Sequence, residues 1–244
     1  MKRYKLVLSY DGYNYFGFQI QNDLPTIQLE LLKAFKKLLK IDVQIYASGR
    51  TDRYVHAYGQ VVHVDLDVNI MENGLKKGLN SFLPDDIYIK EVAIVNEDFH
   101  ARFSAVKKEY RYYINIKEPN PLTCRYAPFI NKLDEEKMQE SFNYLLGEHD
   151  FKAFASAQID PRKSTVRTIE EIKLINHKDE YLEFIFIGNS FLKYQIRRMM
   201  GIIVEVGKGH FKPEKIKEIL DSKDPSQSKY ILDGKGLYLY SVSY

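Results

Sequence analysis

The chain has 244 residues, 45% of them hydrophobic and 28% charged, with a formal net charge of +3; this is the make-up of a soluble globular protein with room for one large domain or two modest ones. No apolar stretch approaches the roughly 20 residues of a membrane helix, so no membrane partner is expected, and Tyr10, Asp11 and Gly12 interrupt the basic amino terminus before a signal-like core develops. A single cysteine, Cys124, excludes an internal disulfide and suits a reducing, cytoplasmic setting.

In chain order, residues 4–10 read as a strand and 26–40 as a helix, with Ile27, Leu31, Phe35, Leu38 and Leu39 on one face and lysines near its end. Strands are expected over 43–47 and 60–65, a helix over 70–82 stopped by Pro84, and a strand over 87–95. This order, β-α-β-β-α-β, is the ferredoxin-like arrangement. The second half repeats it less cleanly. A strand over 107–116 is followed by a helix over 133–146, a loop over 155–166 and a hairpin of 169–176 with 181–187. A helix over 191–206 carries Leu192, Ile196, Met199, Met200 and Ile203 in one stripe; a shorter helix spans 213–220 and a strand 236–242. The fold class expected is therefore α+β, with an amino-terminal half over 1–105 and a carboxy-terminal half over 106–244.

Charge is unevenly distributed. Residues 102–117 hold five basic side chains against one acid, and 193–215 hold six against two, whereas 65–98 carry eight acids and three lysines. The basic segments also contain Phe103, Tyr110, Tyr112, Tyr113, Phe191 and Tyr194, and basic groups beside aromatic faces suit phosphates and unstacked bases. Most of these rings nevertheless belong in the core, since a strand such as 110–116 buries every second side chain. The six histidines show no zinc spacing, and one cysteine supplies no thiolate cluster, so no metal is expected. The stretch from Gly201 to Lys208 has five residues between its glycines and no Ser or Thr after the lysine, which excludes a phosphate loop.

The most informative run is 47–64. It places Asp52 between Arg50 and Arg53, after a turn made by Ser48 and Gly49. Neighbouring cations favour the ionised form of a carboxylate, which can then act as nucleophile, base or orienting anion; an ordinary turn aspartate is the alternative. The string Gly49, Arg50, Thr51, Asp52, Val55, His56, Ala57 resembles the active-site motif of the tRNA pseudouridine synthase A family, Gly-Arg-Thr-Asp-x-Gly-Val-His-Ala, at seven of its eight defined positions. Tyr54 replaces the family's second glycine. Further blocks are similar in order along the chain. Tyr10-Asp11-Gly12 through Gly17-Phe18-Gln19 resembles the opening signature, with Phe18 for tryptophan, and Thr26-Ile27-Gln28 its first helix start. Phe99 to Ala105 resembles Phe-Asp-Ala-Arg-Phe-Ser-Ala with His100 for Asp; Lys108 to Tyr112 and Phe191 to Gly201 match a strand and a helix block.

The resemblance implies isomerisation of uridine to pseudouridine in RNA, without cofactor or metal, at positions 38 to 40 of the tRNA anticodon stem-loop. It implies two ferredoxin-like halves joining their antiparallel sheets into a central platform with a cleft between them, and a cytoplasmic homodimer whose partner is tRNA. Asp52 is implied as the catalytic carboxylate, Arg197 as the guanidinium paired with it, and Tyr110 as the ring that packs on the target uracil and assists proton transfer. Arg50 is implied as a contact to phosphate or the occupant of the space left by a flipped nucleotide. For His56, a structural hydrogen bond and an RNA contact stay equally open. Two other readings compete: a family paralogue acting on another RNA such as ribosomal RNA, and a non-catalytic RNA-binding or chaperone protein, against which the joint presence of Asp52, Tyr110 and Arg197 counts.

Overall fold

Side chains alternate along the first strand, β1 (Lys2–Tyr10), so that Tyr4, Leu6, Leu8 and Tyr10 are buried while their neighbours are partly exposed. The structure, a computed structural model, describes residues 1–160 and 162–244; position 161, inside the loop expected over 155–166, lies outside the described residues. Helix α1 (Ile27–Leu39) starts where the Thr26 hydroxyl accepts the Leu29 amide at 3.3 Å and stops at Lys40, whose φ of 60° ends the helical path. It buries Ile27, Leu31, Ala34 and Phe35.

The strand expected over 43–47 is cut to β2 (Tyr46–Ala47), and the one expected over 60–65 grows to β3 (His56–Leu66). The polar start of β3 is held as strand by pairing, with Ala57 opposite Tyr10, and not by any alternation of its own side chains. Helix α2 (Glu72–Asn80) and strand β4 (Ile87–Val95) follow. The Asn80 carboxamide fastens the two together, accepting the Ile89 amide at 2.8 Å and donating to its carbonyl at 2.9 Å.

The later elements are β5 (Lys107–Asn115), α3 (Glu135–Phe142), β6 (Gly147–Asp150), β7 (Val166–His177), β8 (Tyr181–Gly188), α4 (Gln195–Gly207), α5 (Lys215–Ser222) and β9 (Leu237–Ser243). Helix α4 begins later than the periodicity predicts because Tyr194, at φ 69°, breaks the helical path. Strand β6 has no apolar alternation and exists through its pairing with β7, from Gly147 opposite Ile169 to Asp150 opposite Val166.

The chain is α+β and divides into two compact units, Met1–Lys108 with Tyr238–Tyr244, and Glu109–Leu237. In the first, the strand order is β4-β1-β3-β9, with β1 antiparallel to both neighbours. One edge of β3 is shared: β2 pairs at Val62 and His63, and β9 pairs in parallel at His56 and Ala57. In the second, the order is β5-β8-β7-β6. None of the helices is long and apolar enough to cross a membrane among the described residues.

The second unit is tied across β5 and β8 by a charged cluster. Glu183 accepts from Arg111 at 2.7 Å and from the Tyr113 hydroxyl at 2.8 Å, and lies 2.7 Å from His177 Nε2. Burial works to raise the Glu183 carboxyl, and the hydrogen bonds from His177, Tyr113 and Arg111 outweigh it, leaving its pKa below the usual carboxylate value. A lowered carboxylate pKa stabilises the fold above the unfolded-state value near pH 4.5 and loses that contribution as pH falls through the folded value. Replacement of Glu183 by Gln is expected to cost about 1–3 kcal/mol at pH 7, with the difference shrinking at pH 3. Urea denaturation of both proteins at the two pH values checks this; an equal difference at both would show that the charge is not what matters.

Candidate active site

Asp52 lies in the connection between β2 and β3, and the path of that connection is fixed from below. The Ser48 hydroxyl donates to Gln60 Oε1 at 2.8 Å, and Gln60 Nε2 donates to the Gly49 carbonyl at 3.0 Å and to the Tyr10 hydroxyl at 3.4 Å. Tyr10 and Thr51 share a hydroxyl–hydroxyl hydrogen bond of 2.8 Å. Burial pushes the Tyr10 phenol up to about 12, so it stays protonated at neutral pH. Lys108 reaches the Ser48 carbonyl with Nζ at 2.6 Å. Buried polar groups are thereby satisfied on both sides of the turn, as their desolvation demands.

The amino-terminal segment clasps the same loop through main chain. Phe18 N–H donates to the Thr51 carbonyl at 3.0 Å. A methyl group at Gly12 would run into the Val55 carbonyl, and one at Gly17, where φ is 94°, would stand 2.7 Å from the Thr51 carbonyl. Both glycines of the opening signature thus have a physical reason: the backbone around Asp52 passes too close for any side chain.

The residue after next is strained. Val55 N–H bonds to the Asp52 carbonyl at 3.2 Å, closing a turn whose third residue, Tyr54, has φ 67°. That position of a type II turn favours glycine, the residue of the family pattern, and a side chain there costs about 1–2 kcal/mol. Arg53, placed beside Asp52 by the sequence, turns instead onto aromatic rings: its guanidinium carbon is 4.2 Å from the Phe16 centroid and 4.4 Å from that of Tyr54. Arg50 is exposed, and Asp52 is partly exposed.

His56 is 2% exposed. Its Nδ1 sits 3.1 Å from the Gly12 amide and 3.0 Å from Asp11 Oδ1, and its ring stacks on Tyr238 with centroids 4.6 Å apart. These contacts hold the ring inside the first unit.

Tyr110 and Arg197 belong to the second unit. Tyr110 stands on β5 with Tyr112 and Ile114 on the same, buried face, itself 9% exposed, and meets Phe191 edge-on at 5.3 Å. Arg197 lies in the first turn of α4, partly exposed, with its guanidinium carbon 5.3 Å from the Tyr194 centroid. Its Nε donates to the Leu232 carbonyl at 2.8 Å, and the Leu232 amide returns a bond to the Arg197 carbonyl at 3.1 Å. That strand of chain comes so near α4 because position 201 is glycine; a methyl group there would strike the Tyr230 carbonyl. Burial holds the Tyr112 phenol above its ordinary value, and the nearby positive charge of Arg197 acts in the opposite sense.

Arg50, Asp52 and His56 belong to the first unit, and Tyr110 and Arg197 to the second. Ser48 is expected in the turn from sequence, whereas Gln60 and Lys108 join the site only through the fold, and a Gln beginning an apolar strand and a Lys inside an aromatic one are the signals that point to them. Among the described residues, no group of three or more His, Cys, Asp or Glu side chains is arranged to hold a metal ion.

Comparison with known proteins agrees with the motif. The family model described as tRNA pseudouridine synthase matches residues 6–104 and 142–244. The tRNA pseudouridine synthase A of Fervidobacterium nodosum is 43% identical over 245 residues, covering 99% of both chains. That of Pseudothermotoga lettingae is 41% identical over 246 residues, covering all of both, and that of Oceanobacillus iheyensis is 43% identical over 247 residues, covering all of this chain and 97% of the relative. With such matches spanning its length, and with the glycines of its signatures explained by close backbone contacts, the chain belongs to the tRNA pseudouridine synthase family.

Proposed function

We propose that this protein isomerises uridine to pseudouridine in the anticodon stem-loop of tRNA, at positions 38 to 40, with Asp52 as the catalytic carboxylate. The observation that carries the reading is the rigidly supported turn presenting Asp52: Tyr10, Thr51 and Gln60 beneath it, Gly12 and Gly17 against it, in a chain of this family. The reaction breaks the N1–C1′ bond, turns the uracil and joins C5 to C1′; a proton leaves C5 and one is gained at N1, so substrate and product are isomers. Attack at C1′, attack at C6 and removal of a ribose proton all draw on the same ionised, positioned acid near a base taken out of its stack.

Tyr110 is assigned to pack on the uracil and assist proton transfer from C5. Its buried strand position and edge contact with Phe191 support the role by fixing the ring. Arg197 is assigned to balance the charge of the acid; its Nε is anchored on Leu232, which sets the direction of the guanidinium fork. Arg50 is assigned to phosphate or to the space vacated by the flipped nucleotide. The working form proposed is a cytoplasmic homodimer that binds tRNA.

Replacement of Asp52 by Asn is expected to abolish pseudouridine formation while leaving tRNA affinity within roughly tenfold, about 1.4 kcal/mol. Pseudouridine mapping across total RNA, in cells lacking the gene and complemented with either form, reads the first outcome, and equilibrium tRNA binding by the purified variant reads the second. Restoration of anticodon-loop modification by the variant would remove Asp52 from its role, and loss of signal only in ribosomal RNA would redirect the substrate. Replacement of Arg197 by Lys is expected to lower kcat/KM by roughly a hundredfold, about 2.7 kcal/mol, because an ammonium cannot match a planar fork anchored at Nε. Wild-type turnover in steady-state assays would contradict that assignment.

A further inference from the structure

Arg53 stands at the position that the active-site motif leaves free, and its surroundings are unlike those of most arginines in the chain. Arg3 is paired with Asp65, Arg111 with Glu109 and Glu183, and Arg162 with Asp160, while Arg198 donates to the carbonyls of Pro225 and Ser228. Arg53 is exposed and, among the described residues, has neither a carboxylate nor a hydrogen-bond partner, yet its guanidinium is held against the rings of Phe16 and Tyr54. Tyr54 is in turn backed by Tyr13, with ring centroids 5.4 Å apart. Rings that engage the faces of a guanidinium leave its in-plane N–H groups directed outward, the geometry that suits a bidentate oxyanion. The arrangement depends on a bulky residue at φ 67° in the turn that begins at Asp52. A strained side chain kept beside a reactive group points to a role for that side chain.

We propose that Arg53, oriented by Phe16 and Tyr54, binds a backbone phosphate of the RNA strand next to the nucleotide presented to Asp52. Phosphodiester is the anion of choice because it offers two non-bridging oxygens to one fork, and the adjoining acid acts on RNA under the reading given above, on which this inference rests. Tyr54 is then a positioning residue: its ring holds the guanidinium in place before the substrate arrives.

The test measures equilibrium binding of an unmodified tRNA transcript as a function of salt, in the Asp52→Asn background so that turnover does not interfere. Loss of one phosphate contact lowers the slope of log affinity against log salt by about 0.7–0.9. Arg53→Ala is expected to show that drop with a loss of roughly tenfold in affinity near physiological salt, the uniform weakening of a phosphate contact. Tyr54→Gly is expected to lower the slope similarly while melting no earlier than its parent, since glycine relieves the turn; Tyr54→Phe is expected to keep the parental slope. An unchanged slope in Arg53→Ala overturns the phosphate site, and an unchanged slope in Tyr54→Gly overturns the positioning role. Because the readout is binding, a wrong assignment of Asp52 shows separately, as pseudouridine formation surviving in Asp52→Asn.

Discussion

Segment 10–18 and the loop bearing Asp52 touch main chain to main chain, and the contact leaves no space for a Cβ at Gly12 or Gly17. From that approach the remaining features follow. It lets Phe18 bond to Thr51, brings the Tyr10 hydroxyl under the Thr51 hydroxyl and sets Phe16 beside Arg53. Backbone-to-backbone contacts are stiff because neither partner has rotamers to relax into. A carboxylate mounted on such a loop keeps its direction, as the role proposed for Asp52 requires.

The second unit uses the same device around a cation. Gly201 opens the side of α4 to the chain at Tyr230, and the carbonyl of Leu232 then takes the Arg197 Nε. Gly236 does likewise against the Tyr112 ring, whose hydroxyl donates to the Asp233 carbonyl at 2.8 Å. Absence of side chains, at four positions across the chain, thus controls where polar and charged side chains point.

Legibility from sequence followed the reach of the forces involved. Helix α1 was readable because its cap at Thr26 and its apolar face are local. The hairpin of β7 and β8 was readable because two apolar-rich runs flank a short polar turn. Strand β6 was not, since Gly147, Glu148, His149 and Asp150 become a strand only by pairing with β7. Helix α4 starts later than its apolar stripe because the left-handed turn at Tyr194 has no mark in hydrophobic period. At the site, the string around Asp52 named its residues, but the polar underlay of Ser48, Gln60 and Tyr10 depends on partners up to 50 residues apart. Arg53 illustrates the limit most clearly. Adjacency suggested a partner for Asp52, whereas the turn geometry sent its side chain to Phe16 and Tyr54.

Strand β9 lies against His56 and Ala57, residues remote from it in sequence, and supplies the Tyr238 ring that covers His56. During synthesis, therefore, the amino-terminal unit emerges from the ribosome well before the strand that finishes it. A nascent chain halted short of residue 238 leaves His56 and Ala57 without their β9 partners and the His56 imidazole without its covering ring. The architecture thus ties completion of a part made earlier to delivery of a strand made much later.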